Sequence, residues 1–129
     1  MHSAREALRL KPDFADAYLQ LGCALHFDQN TFPEAAAAYQ ESLRLRPNQF
    51  LALANLGDVN LQIGRFAEAK DCFVKAASIN PNDPKLHHLL GKTYLKLGMR
   101  DEAFRECEVL KDLDATLASE LSNWLNNEK

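Results

Sequence analysis

Few residues of this chain have types and spacing that suit chemistry. Cys23 and His26 stand three positions apart on one predicted helix, so a thiol and an imidazole come within reach of each other. That is the start of a nucleophile–base pair or of a metal site. A tetrahedral zinc centre needs four ligands, and two on one helical turn do not complete it. His87 and His88 are neighbours and point to different sides of their helix, His87 into a packed position and His88 toward solvent. Structural or surface roles suit these histidines better than metal binding. Cys72 and Cys107 fall in predicted helices and read as small apolar filler. There is no Gly-rich phosphate loop, no G-x-S-x-G and no H-E-x-x-H. The expectation is a chain without catalytic, cofactor or metal residues, and not an enzyme.

What positions these side chains is a repeat. Gly22, Gly57 and Gly91 lie 35 and 34 residues apart, and Ala35, Ala69 and Ala103 are each 34 apart. Tyr39, Phe73 and Cys107 keep the same interval, and Pro12, Pro47 and Pro81 are 35 and 34 apart. The clearest unit reads Leu53-x2-Leu56-Gly57, then Gly64-Arg65-Phe66-x2-Ala69-x3-Phe73-x2-Ala76, and closes at Asn80-Pro81. This is a helix, a Gly-centred turn, a second helix and a proline stop. Through the pattern W-x2-L-G-x2-Y…A-x3-F…P these residues resemble the tetratricopeptide repeat family over residues 3 to 114. The resemblance implies an all-α fold, a right-handed α-α superhelix. It is divided into a half-repeat helix at 3–12, helix-turn-helix repeats at 14–47, 48–81 and 82–114, and a capping helix at 115–127, one domain spanning 1–129.

Local signals place the helices. Ala4, Ala7 and Leu8 share a face of the half-repeat, whose other side has no partner and no polar cap. That open N-terminal edge is a candidate for self-association. Asp13 reads as an N-cap for a helix from about Phe14 to Phe27, with Tyr18, Leu21 and Leu25 as its apolar stripe. Gly22, inside that helix, predicts close approach by the following one. The turn at Asp28–Thr31 carries one extra residue and should bulge as loop, with Thr31-Phe32-Pro33-Glu34 spaced as a capping box. Asn48 and Asp83 are the candidate caps of the second and third repeats. In the third, His87, Arg100 and Cys107 replace the usual bulky residues, which predicts coverage by the final segment. There Leu117, Ala118, Leu121, Trp124 and Leu125 form one apolar face, with Trp124 as the large anchor.

In the family resembled, first helices line a concave groove and second helices form the convex back. The groove residues implied here are Leu19, Cys23, His26 and Phe27, then Leu51, Asn55, Asp58 and Leu61, then Lys85, His88, Lys92 and Lys96. Leu19, Leu51 and Leu61 would make an apolar strip. Lys85, Lys92, Lys96 and Arg100 fall in a stretch without acidic residues, which makes the third-repeat end basic. An extended or helical peptide would then lie with its acidic residues toward repeat three. Clamps for chaperone C-terminal carboxylates in this family would use Leu19, Cys23, Asn55, Lys85 and Leu89, and only Asn55 and Lys85 have suitable side chains. An asparagine ladder at Gln20, Asn55 and Leu89 has one member of three.

Composition bounds the rest. A net charge of −3 and a pI near 5.8 give no argument for nucleic acid. No apolar run approaches the roughly 20 residues that span a bilayer, and no signal-peptide core follows Met1. Three cysteines make no disulfide framework, so reduced thiols in a cytoplasmic protein are expected. The function implied is a non-catalytic scaffold whose partner is a protein or acidic peptide. The alternatives are a regulatory or substrate-recruiting part of a larger enzyme and a self-assembling module.

Overall fold

The computed structural model describes the backbone of residues 2–127 and the side chains of residues 14–127. Among these the chain forms seven α-helices and no strand. They are α1 (His2–Leu25), α2 (Phe32–Leu45), α3 (Phe50–Gln62), α4 (Phe66–Ile79), α5 (Pro84–Lys96), α6 (Arg100–Leu113) and α7 (Ala115–Asn127). α1 pairs with α2, α3 with α4 and α5 with α6. α2 then packs on α3, α4 on α5, and α7 lies against both α6 and α5. Packing therefore runs between neighbours along a line, as in a solenoid.

Glycine and alanine let each hairpin close. A Cβ added at Gly22 would lie 2.5 Å from Cε1 of Tyr39, and one at Gly57 would lie 2.6 Å from Cε1 of Phe73. Both rings are fully buried, together with Ala35, Ala69 and Ala76. Glycine in a helix costs about 1 kcal/mol relative to alanine; here it is offset by the ring that takes the place of its side chain. The third hairpin has Cys107 where the ring would be, and the space is filled from outside. A Cβ at Gly91 would lie 2.4 Å from Cδ2 of Leu121, which belongs to α7. Ala103, Cys107 and Leu110 share one core cluster with Ala118, Leu121 and Leu125. The anchor of α7 is thus Leu121, and Trp124, expected in that role, is only half-buried. Arg100 donates to the Leu125 carbonyl at 2.9 Å and so satisfies an acceptor near the C-terminus of α7.

The turns differ as their sequences do. Gly64 and Gly98 close the second and third hairpins with φ of 87° and 76°, in the left-handed region that favours glycine. The first hairpin has no glycine there, and its extra residue forms a 3-10 turn at Gln29–Thr31. The Thr31 hydroxyl does not make the expected capping box. It donates backwards to the carbonyls of Leu25 (2.6 Å) and Asp28 (2.9 Å), so the end of α1 uses the group that α2 was expected to use. Gln49, rather than Asn48, stands at the N-cap of α3. Its side-chain amide donates to the carbonyls of Ser42 and Arg46 and closes the end of α2. Asp83 caps α5 as expected, accepting from the Lys85 N–H at 3.1 Å.

The largest departure is α1, which runs unbroken through Pro12, where the sequence reading placed a stop and a fresh N-cap. Proline removes one helical hydrogen bond and crowds the preceding turn, but its φ is helical, so a helix can pass through at a local cost. The face formed by Ala4, Ala7 and Leu8, and the side chain of Asp13, lie outside the described side chains. One consequence is visible further along. Leu21 occupies the position of Leu56 and Leu90, which are 5% and 3% exposed, yet Leu21 is 48% exposed. Leu56 and Leu90 are covered by α2 and α4, and no described helix precedes α1 to cover Leu21.

Candidate functional site

Three cavities are lined by residues of the leading helices α1, α3 and α5. Asn55 shares the first, about 270 Å³, with Cys23, His26, Phe27 and Tyr39. It also lines the second, about 130 Å³, with Leu51, Ala54, Lys85 and Leu89. Lys92 follows Leu89 by three residues on the same face of α5, and lines the third, about 270 Å³, with Leu95, Lys96 and Trp124. Phe73 of the trailing helix α4 is fully buried.

The floor of the first cavity is a hydrogen-bonded set. His26 Nδ1 is 3.0 Å from the Tyr39 hydroxyl, and its Nε2 is 3.0 Å from Oδ2 of Asp58. A carboxylate only accepts, so Nε2–H donates to Asp58, while Nδ1 bonds the Tyr39 hydroxyl. Burial pushes the Tyr39 phenol well above the usual tyrosine range. Asn55 Nδ2 donates to Cys23 Sγ at 3.7 Å. The Cys23–His26 spacing therefore does not become a pair: His26 bonds α2 and α3, and Cys23 bonds α3. With both imidazole nitrogens engaged and the phenol protonated, no base stands free here. These bonds tie the first hairpin to the second.

Leu61 does not reach the groove. It is 6% exposed and belongs to the core with Ala69, Phe73 and Leu90. Four residues after Gly57, it lies on the face that meets Phe73. Leu19 is half-buried against the first core cluster, so the strip expected from Leu19, Leu51 and Leu61 reduces to Leu51, 52% exposed. Apolar surface comes instead from Phe27, 92% exposed, because α1 ends at Leu25 and the turn carries the ring clear.

At the far end, His88 was expected to face solvent and is instead covered by α7. Its ring centroid is 5.0 Å from that of Trp124, and its Nε2 is 3.4 Å from Glu120 Oε1 without hydrogen-bond geometry. Burial lowers its pKa below the usual histidine value. Lys92 Nζ lies 5.1 Å from the Trp124 ring centroid, a cation–π contact, while Lys85 and Lys96 are exposed. Lys85 shares its cavity with Asp58 and Asp83, whereas Lys92 and Lys96 line a cavity with no carboxylate. His87 takes the packed position expected of it. Its Nδ1 contacts Glu106 and its Nε2 contacts the Pro81 carbonyl, both at 2.5 Å. Two acceptors require two donors, so this ring is an imidazolium, and Glu106 foremost raises its pKa.

Two residues lining these cavities are absent from the expected site. Tyr39 is noted only for keeping the repeat interval with Phe73, although a buried phenol needs a partner for its hydroxyl. Trp124 was read as a core anchor, and nothing in the pattern of α7 says that its indole lines a cavity. Among the described residues, no group of three or more His, Cys, Asp or Glu side chains gathers as a metal site, and no helix is long and apolar enough to cross a membrane.

The architecture is that of a solenoid of helical hairpins. The TPR repeat family model matches residues 24–64 and 57–98, and the chain belongs to that family. It is similar to human Protein O-mannosyl-transferase TMTC3, 23% identical over 100 residues, which are 78% of this chain and 11% of that protein. It is similar also to Anaphase-promoting complex subunit CDC16 of Saccharomyces cerevisiae, 31% identical over 123 residues, 91% of this chain and 14% of that protein. The chain thus spans a small part of the length of these curated relatives. Among solved structures it is similar to the first TPR of Spaghetti (RPAP3) bound to HSP90 peptide SRMEEVD. That match has a TM-score of 0.80 at 19% identity and covers 89% of this chain and 92% of the other, a likeness of fold.

Proposed function

We propose that this chain is a non-catalytic module that binds a protein or peptide segment along the hollow formed by α1, α3 and α5. The observation that carries this reading is the set of three cavities along these helices, two of them sharing Asn55, with exposed Phe27 in the first, exposed Leu51 in the second, and Lys92 and Lys96 in the third. An extended or helical segment with apolar residues toward Phe27 and Leu51 and acidic residues toward the lysines matches that order. Asn55 stands between two cavities, where an amide can bond a peptide backbone. The peptide complex of the RPAP3 domain, a chain of the same fold, supports a peptide as ligand class. The HSP90 peptide of that complex is a poor model for the ligand here, since Leu19, Cys23 and Leu89 stand at three of the five positions of a carboxylate clamp.

The test is capture of partners from the source lysate on the immobilised chain, with Lys92→Glu plus Lys96→Glu as control. The double variant should lose the captured protein while its helical circular dichroism is unchanged. Raising salt should weaken capture too, because exposed charges are screened within about 8 Å at physiological ionic strength. Equal capture by both proteins at both salts would contradict the reading. A second reading, a recruiting segment of a larger enzyme, is favoured by the small share of TMTC3 and CDC16 that the chain spans. It uses the same groove, and fusion to a catalytic domain in the full reading frame is what would separate the two.

A further inference from the structure

Two of the three cavities are the same notch at different places along the solenoid. Counted from Gly22, the first is lined by residues one, four and five positions on, which are Cys23, His26 and Phe27. Counted from Gly91, the third is lined by residues one, four and five positions on, which are Lys92, Leu95 and Lys96. In the first notch the next leading helix, α3, contributes Asn55, which bonds the residue one past the glycine, Cys23. In the third notch α7 contributes Trp124, which contacts the residue one past the glycine, Lys92. Helix α7 therefore does two things: it covers the third hairpin through Leu121, and it continues the inner surface as a fourth leading helix.

The chemistry of the two notches differs. The first has no lysine or arginine, carries exposed Phe27 at its rim, and has the His26–Asp58 pair in its floor. The third has an indole wall and the Leu95 side chain between two lysines, and no carboxylate lines it. Among the described residues neither lysine has an ion-pair partner. Lys92 is held over the indole, and Lys96 is exposed at the edge. A cation resting on an aromatic face with its outer side open is set to receive an anion while the ring takes an apolar neighbour.

The geometry points to the Lys92–Leu95–Lys96–Trp124 notch as the site that takes an acidic residue and an adjacent apolar one from the bound segment, with Trp124 as a contact residue. This rests on the groove reading above and names where its acidic end sits. Trp124 is the only tryptophan of the chain, so its emission reports on the notch directly.

The probe is a pool of synthetic hexapeptides with Asp or Glu at four positions and Leu, Ile, Val or Phe at two, free of Trp and Tyr. A matching pool with Lys and Arg in place of the acids is the control. The acidic pool should shift Trp124 emission saturably and the basic pool should not. Fluorescein-labelled acidic pool should bind about tenfold more weakly to Lys96→Glu and to Trp124→Phe, as followed by anisotropy. Circular dichroism of both variants checks that α7 stays folded, and Lys96 is exposed, so its reversal leaves the cap in place. Labelled peptide that binds without changing Trp124 emission, and equally to both variants, would overturn the notch and leave the groove standing. No binding of either pool to any variant would overturn both.

Discussion

Leu121 of α7 lies against Gly91 of α5 as Phe73 lies against Gly57, so the last helix supplies by a separate route what the trailing helix of the second hairpin supplies itself. The pairing has a measurable signature. Gly57→Ala drives a Cβ to within 2.6–2.9 Å of three atoms of a fully buried ring. Overpacking of this kind costs about 1–3 kcal/mol, more than the roughly 1 kcal/mol that alanine gains over glycine in a helix. Gly91→Ala meets chiefly one methyl of the buried Leu121, at 2.4 Å, where Gly57→Ala meets three atoms of a rigid ring below 3.0 Å, and should cost less. Urea denaturation of the two variants should rank them in that order, and Gly91→Ala with Leu121→Ala should be less destabilising than the sum of the two.

Phe73 is the residue on which the middle of the solenoid rests. It is fully buried in a cluster that also takes Leu53, Leu86 and Leu90 from its neighbours. Phe73→Ala should cost about 3–5 kcal/mol. Because stability passes between neighbours, a single cooperative unfolding transition should move, which calorimetry can show.

His87 makes stability depend on pH. Its imidazolium bonds Glu106 and the Pro81 carbonyl, tying α5 to α6 and to the end of the preceding turn, and its pKa is raised above 6.5. A raised folded pKa contributes stability that is fully present below the unfolded value and is lost as pH rises through the folded one. The melting temperature of the native chain should therefore exceed that of His87→Gln most at about pH 6, with the gap narrowing toward about pH 9. A gap that stays constant or widens with rising pH would contradict the imidazolium assignment.

The thiols report on the groove. Burial pushes Cys72 up to about 11 and also raises Cys107, which is buried, so both should react slowly with a disulfide reagent at about pH 8. Cys23 lines the first cavity and should react first. Bound peptide should slow Cys23 alone, as read by mass spectrometry of the labelled chain.

Much of this architecture is legible in the sequence. The recurrence of the Gly57, Ala69 and Phe73 positions every 34 or 35 residues encodes helix, turn and helix because each residue type answers one steric demand of the hairpin. The substitution of Cys107 for a ring likewise announced that something else must fill the third hairpin. The failures have physical causes too. Pro12 reads as a stop because proline usually ends helices, yet its φ fits one. Leu61 reads as groove because the pattern does not say which leucines of a largely apolar helix such as α3 turn inward. Thr31 and Gln49 carry capping side chains that serve the helix before them, a choice made by the tertiary turn and invisible in local spacing. Trp124 reads as core by its type, and only the seat of α7 across Lys92 brings its ring to the cavity.

Mapping amide shifts by ¹⁵N NMR as the acidic peptide pool is added asks most directly whether the leading helices share one working surface. The largest changes should fall around Asn55 of α3, around Lys92 and Lys96 of α5, and on the Trp124 indole, with the outward residues Val74 and Phe104 unmoved. Changes centred on Val74 of α4 and Phe104 of α6, with Asn55 and Trp124 silent, would place binding on the opposite side of the molecule and contradict the groove.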